Sequence, residues 1–189
     1  MEKSFKHLIA VVSALVLTAC GGGGGGSSGT GSSNPLAKYV GTYSACNQDN
    51  RQIRLVISVS GEKSLFIKSI ENIFDTPNCT GSPAGTFTSE PFLVTYTSSG
   101  VVTATGPDLP SASIEIDKLS FDPSTYTEVA SGPGAKGDCI TYSGGQEICT
   151  VKSVPSALAE GGLYLSNSTL YLVVSENGVY TAGIGLKRL

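Results

Sequence analysis

Among the side chains able to do chemistry, the acids of one short stretch come first. Glu115 and Asp117 alternate with Ile114 and Ile116, so in an extended strand both carboxylates share a face, ~7 Å apart. That separation overlaps the spacing of paired glycosidase carboxylates. No neighbouring pattern suggests a buried site that would split their proton affinities, so the pair reads as a solvated strand face. Asp108, Asp122, Asp138 and Glu147 could offer oxygens to Ca2+, yet no EF-hand-type loop surrounds them and they read as scattered loop acids. Imidazole chemistry is nearly absent from the start. The single His is His7, the single Met is Met1, and Trp is missing. Loss of the N-terminus would therefore exclude Ser-His-Asp, Cys-His and HExxH mechanisms together. A net charge of −3 also argues against nucleic acid, which needs clustered Lys and Arg. We expect no catalytic residue, no metal, no cofactor and no enzyme.

The N-terminus carries an address. Lys3 and Lys6 precede an apolar run from Leu8 to Leu17, followed by Leu17-Thr18-Ala19-Cys20. A run of about ten apolar residues suits a signal-peptide core and falls short of the ~20 that span a bilayer. Leu-Thr-Ala-Cys resembles the lipobox of bacterial lipoproteins. The resemblance implies diacylglyceryl transfer to Cys20, cleavage before it and acylation of the new amine. Several acyl chains, at ~0.8 kcal/mol per buried CH2, make an essentially permanent anchor. Gly21 stands where such lipoproteins carry Asp when they stay in the inner membrane, which implies the outer membrane of a Gram-negative cell envelope. The expected organisation is a signal peptide over 1–19, lipidated Cys20 with a Gly/Ser tether over 20–34, and a β-domain over 35–189. The tether, GGGGGGSSGTGSSN, has no apolar side chain to bury and should be flexible. Its glycines match G-x-G-x-x-G formally, as do residues 132–137, but neither has the strand-then-helix context that a dinucleotide site needs.

With Cys20 lipidated, Cys46, Cys79, Cys139 and Cys149 remain, an even number in an exported chain, so two disulfides are expected. Register selects the pairing. A three-residue loop Ser143-Gly144-Gly145 sets Tyr142 opposite Gln146 and Cys139 opposite Cys149, within disulfide reach. Cys46 then takes Cys79. A redox or metal role for the cysteines lacks a CxxC spacing and a histidine partner.

From Tyr39 onward the chain is rich in Val, Ile, Thr, Tyr and Ser, broken by Gly, Pro and Asn, with no sustained helical period. Ile53, Leu55, Ile57 and Val59 alternate with more polar residues before a turn into 64–73. Ser98-Ser99-Gly100 is expected to form a hairpin loop between strands 92–97 and 101–105. The segment 163–186 reads as a three-stranded meander turning at Asn167-Ser168 and at Asn177-Gly178, the latter a type I′ turn. Only 156–160, SALAE, looks helical. The strands suit an antiparallel up-and-down β-barrel of about eight strands, with a two-sheet β-sandwich as the alternative. Gly41-Thr42-Tyr43 is similar to the Gly-x-Trp opening of lipocalins and their calycin relatives. Tyr39–Cys46, Asp75–Cys79 and Gly162–Ser166 look like uncharacterised lipocalin-like bacterial lipoproteins, a resemblance that informs the fold and carries no activity.

Two roles follow. A filled barrel suits a structural or interaction lipoprotein, presenting 106–111 and 121–136 to another envelope or host protein. A hollow one suits a carrier or sensor for a small apolar ligand. The inward face discriminates them, and abundant Ile, Leu, Val and Tyr favour the filled barrel.

Overall fold

The computed structural model describes residues 34–150 and 160–189; the expected signal peptide, Cys20, the expected tether and most of the SALAE segment lie outside them. The described chain is almost wholly β. Its strands are β1 (Gly41–Cys46), β2 (Arg51–Gly61), β3 (Ser64–Ile73), β4 (Gly85–Ser89), β5 (Phe92–Thr105), β6 (Ser113–Phe121), β7 (Glu128–Ser131), β8 (Ala135–Lys136), β9 (Cys139–Tyr142), β10 (Gln146–Cys149), β11 (Glu160–Ser166), β12 (Thr169–Glu176), β13 (Val179–Ala182) and β14 (Leu186–Arg188).

Eight of them, β1-β2-β3-β5-β6-β11-β12-β14, pair in sequence order, and β14 returns to β1. Every pair in that ring is antiparallel. The fold is thus a closed up-and-down barrel, as the strand pattern predicts, and ring strands that run beyond the closure pair with further strands. Alternation supplies its core: Ile53, Leu55 and Ile57 of β2 and Leu65 and Ile67 of β3 point inward to meet Phe92, Val94, Leu163, Leu170 and Leu186. Burying each such side chain contributes roughly 1.5–3 kcal/mol.

β5 departs from expectation. Residues 98–100 form no loop; β5 runs unbroken for 14 residues, and the pairing shifts between Tyr96 and Ser98, leaving Thr97 as the extra residue of a β-bulge. The Thr97 hydroxyl donates to the Lys118 carbonyl across the bulge (3.1 Å). Small polar residues and a glycine suit a bulge as well as a turn, and cross-strand pairing with β6 decided between them. Beyond the bulge, β5 pairs in parallel with β13, and β13 pairs with β12. The strands β5, β6, β11, β12 and β13 thereby close a second, smaller circuit around Val102, Ala104, Ile114, Ile116, Tyr171, Val173 and Ala182. Strand β12 serves both cores: Leu170 and Leu172 face the barrel, Tyr171 and Val173 the smaller circuit.

On the other side, β3 continues past β5 to pair with β4, and β4 with β7. Strands β8, β9 and β10 form a separate sheet that packs Ile140 against Ile73 and Phe87. Both disulfides have the expected partners. Cys46 bonds Cys79, and Cys139 bonds Cys149 across the register Tyr142↔Gln146 and Cys139↔Cys149. Gly144 (φ 74°) and Gly145 (φ 82°) both take the left-handed conformation that the tight loop requires. The meander turns at Asn177 (φ 51°) and Gly178 (φ 78°), the signs of a type I′ turn.

Candidate functional site

Each end of the barrel holds a buried polar cluster. The first lies at the β2–β3 hairpin, where the chain enters. The Asn34 amide donates to the Gly61 carbonyl (2.6 Å), Leu36 is wholly buried in the barrel core, and residues 37–39 make one 3-10 turn before β1. This entry segment plugs the barrel end. Its Tyr39 hydroxyl lies 2.7 Å from Asp117 Oδ2 and 2.9 Å from the Leu163 carbonyl. Lys38 Nζ is 2.7 Å from the same carboxylate oxygen, while Ser99 Oγ donates to Asp117 Oδ1 (2.5 Å). Burial by itself would raise the Asp117 carboxyl, but hydrogen bonds from Lys38, Ser99 and Tyr39 outweigh it and hold the group below its ordinary value. Tyr39, buried and beside that negative charge, is pushed well above the ordinary phenol range. Asp117 is therefore a saturated acceptor that fixes the plug and has no proton to give.

This corrects the expectation for the acid pair. Glu115 is exposed whereas Asp117 is 4 % exposed, so the two share no solvated face. The cause is the change of core along β6: Ile114 and Ile116 pack into the smaller circuit and Leu119 and Phe121 into the barrel. The inward parity flips between them, beside the β5 bulge, and Asp117 falls on the barrel side.

The second cluster lies at the opposite end, marked by the start of β2, the start of β5 and the end of β6. Arg51 of β2 and Glu71 of β3 form a buried ion pair, Arg51 Nε donating to Glu71 Oε1. Glu71 is 1 % exposed. Ladder register explains the meeting: Ile53 sits opposite Glu71 and Arg51 opposite Ile73, so the two charges are diagonal neighbours on the inward face. The same face continues across β4 to β7, where Ser89 is opposite Glu128. The Tyr126 hydroxyl donates to Glu128 Oε2 (2.5 Å), and the Tyr126 ring meets Phe92 edge-on at 5.8 Å. Burial raises both acids. Glu71 is raised by desolvation and by Asp49 against the opposing pull of Arg51. Glu128 is pushed up to about 7 by burial and by the charge of Glu71, with Tyr126 and Arg51 pulling the other way. Oε2 of Glu71 and Oε1 of Glu128 are buried with no hydrogen-bond donor among the described residues. Among the described residues, two carboxylates thus face one guanidinium, one positive charge short.

Sequence reasoning missed this cluster. Arg51, Glu71 and Glu128 stand far apart in the chain, and strand β7 itself lay inside what reads as a loop. The available signal was parity: Arg51 and Glu71 occupy the apolar phase of their strands, where a charge needs a partner.

The other acids do not converge. Asp122 caps the 3-10 turn 123–125, accepting from Ser124 N (2.9 Å) and Oγ (2.7 Å), bonds that lower its carboxyl. The Asp108 carbonyl accepts from the Tyr171 hydroxyl (2.7 Å). Asp138 and Glu147 belong to the cysteine hairpin. Among the described residues, the one group with metal-ligand proximity is Cys139, Glu147 and Cys149. Both of its sulfurs are spent in the disulfide, which leaves one exposed carboxylate, too little for an ion.

The fold and these clusters define the chain's class: a closed eight-stranded antiparallel β-barrel, disulfide-bonded and packed with its own side chains. No family model, curated protein or solved structure matches the chain.

Proposed function

We propose that this protein is a lipid-anchored lipoprotein of the outer membrane, held through Cys20, whose disulfide-stapled barrel has a non-catalytic structural or protein-interaction role in the cell envelope. The observation that supports this role over a carrier is the occupied interior. Leu36, Tyr39, Tyr43, Leu55, Leu65 and Leu170, from the entry segment and four strands, are buried in one contiguous core cluster, side chains of the kind that fill the interior of a small barrel. The entry plug adds to it. Anchoring rests on the lipobox resemblance at Leu17–Cys20. Partners are the membrane, through the acylated Cys20, and an envelope or host protein.

Expression of the full chain and of Cys20→Ala in a Gram-negative host tests both halves. The full chain is expected in the outer-membrane fraction and the variant in the soluble fraction; a variant that still partitions with membranes refutes the anchor. Native mass spectrometry of the detergent-released protein is expected to give the lipidated mass with no further adduct. A stoichiometric apolar adduct would instead make it a carrier or sensor.

A further inference from the structure

The acid cluster beneath β7 does something that the packed interior does not require. Strand β7 is the outermost strand of the barrel sheet, held to β4 by four residue pairs, and its Val129 is 64 % exposed. Its one inward anchor of length is Glu128, and the turn that leads into it supplies Tyr126, whose ring covers Phe92 and through it Phe121 at the barrel end. This lid is therefore fastened by apolar contact at Tyr126, by Ala130 against Ile73, Phe87 and Ile140, and by a carboxylate at Glu128.

Among the described residues, the charges facing Glu128 can be counted element by element. β2 contributes Arg51 and β3 contributes Glu71, with Asp49 acting on Glu71 from the β1–β2 turn. β4 contributes Ser89 and Phe87, both uncharged, and the lid's own turn contributes Tyr126. With both acids ionised these described residues carry a net negative charge, and each acid keeps an oxygen without a donor among them. One proton removes the imbalance. Such an unbalanced buried charge costs several kcal/mol unless it is neutralised or reaches water. Because β7 is an edge strand, Glu128 reaches water more readily than Glu71, which sits in a strand paired on both sides.

We infer that β7 and the turn before it form a proton-held latch over this end of the barrel, closed while Glu71 and Glu128 share one proton beside Arg51 and released when that proton leaves. The inference is independent of the anchor at Cys20. The closed state binds a proton at Glu128 with an affinity near pH 7, while a released Glu128 reverts to its ordinary value of 4.5. Linkage then sets the size of the effect: the opening equilibrium rises about tenfold between pH 6 and pH 8.5.

Hydrogen exchange on the full chain reads this directly. After correction for the intrinsic pH dependence of exchange, protection of the peptide spanning 126–131 should fall about tenfold from pH 6 to pH 8.5, with no matching fall in peptides from the β2–β3 hairpin. Glu128→Gln should abolish the response. A wild-type lid whose protection is independent of pH overturns the latch, as does a Glu128→Gln variant that keeps the response. Should Glu128→Gln fail to fold, Glu71→Gln serves: with one acid left for Arg51 the response should shrink, and an unchanged response overturns the proposal.

Discussion

Replacing Arg51 by Met isolates the physics of the buried pair. The substitution keeps an unbranched stem and deletes, among the described residues, the only donor to Glu71, whose second oxygen is already without one. Glu71 is 1 % exposed and cannot reach water without breaking the β3 ladder, so it escapes by taking a proton. From the reference value of 4.5, binding that proton costs about 3.4 kcal/mol at pH 7 and about 0.7 kcal/mol at pH 5. The sign follows from linkage. In Arg51→Met the folded state holds a proton that the unfolded state releases above pH 4.5, so the variant loses stability as pH rises. We therefore expect Arg51→Met to cost about 3 kcal/mol at pH 7, within the range for breaking a buried ion pair, and about 1 kcal/mol at pH 5. Urea unfolding followed by circular dichroism measures both. Arg51→Met with Glu71→Leu should regain most of the pH 7 loss, because the uncompensated charge goes with its partner. An equal loss at both pH values, or a double variant no better than the single one, would show that Arg51 acts through packing and would refute the reasoning.

Three further outcomes are expected. Glu128 is raised from 4.5 to about 7, so its contribution is full below pH 4.5 and lost as pH rises through 7. Discounted for its partial exposure, that loss is about 2 kcal/mol of global stability, and Glu128→Gln should flatten the profile in urea titrations from pH 4.5 to 8.5. Tyr39→Phe removes the hydroxyl between Asp117 and the Leu163 carbonyl and should cost about 1–2 kcal/mol; a change near zero would mean that the plug is held by Leu36 alone. Gly85→Ala places a Cβ 2.7 Å from Ile140 Cγ2. It should cost about 1–3 kcal/mol, and Gly85→Ala combined with Ile140→Val should recover part of it.

What could be read from the sequence was whatever local spacing determines. The register of Cys139 and Cys149 follows from loop length alone, and the structure places them opposite one another. Alternation at Ile53, Leu55 and Ile57 marked the inward face of β2, since a strand's period of two permits one buried set, whereas Val59, beside the register shift at Gly61, is exposed. What could not be read depends on distant pairing. Residues 98–100 are ambiguous between turn and bulge until β6 pairs across them. The reversal of facing along β6, which buries Asp117, requires a second core that no window of the chain announces. β7 is four residues long and takes its strand geometry from β4. Arg51 and Glu71 fall in the inward phase of β2 and β3, but only the pairing of those strands brings them together.

The two ends of the barrel solve one problem in opposite ways. A closed ring of strands leaves its ends open to water, and each must be covered by a segment that the ring does not pair. At the β2–β3 end the cover is the entry segment, with Asp117 receiving Lys38, Ser99 and Tyr39 at once. Its charge is matched, and Asp117 is held below and Tyr39 above their ordinary values. At the other end the cover is β7 with its leading turn, where Glu71 and Glu128 contend for Arg51 and buried oxygens lack donors. A fold selected only for stability would replace Glu128 with an apolar residue, since an incompletely satisfied buried polar group is worse than a hydrocarbon there. The chain enters the barrel at the matched end, through Asn34 and Leu36. Under the anchoring we propose, the fixed end is the one joined to the membrane tether and the titrating lid lies at the far end, so a change of proton activity in the envelope would act on the part of the domain freest to meet a partner.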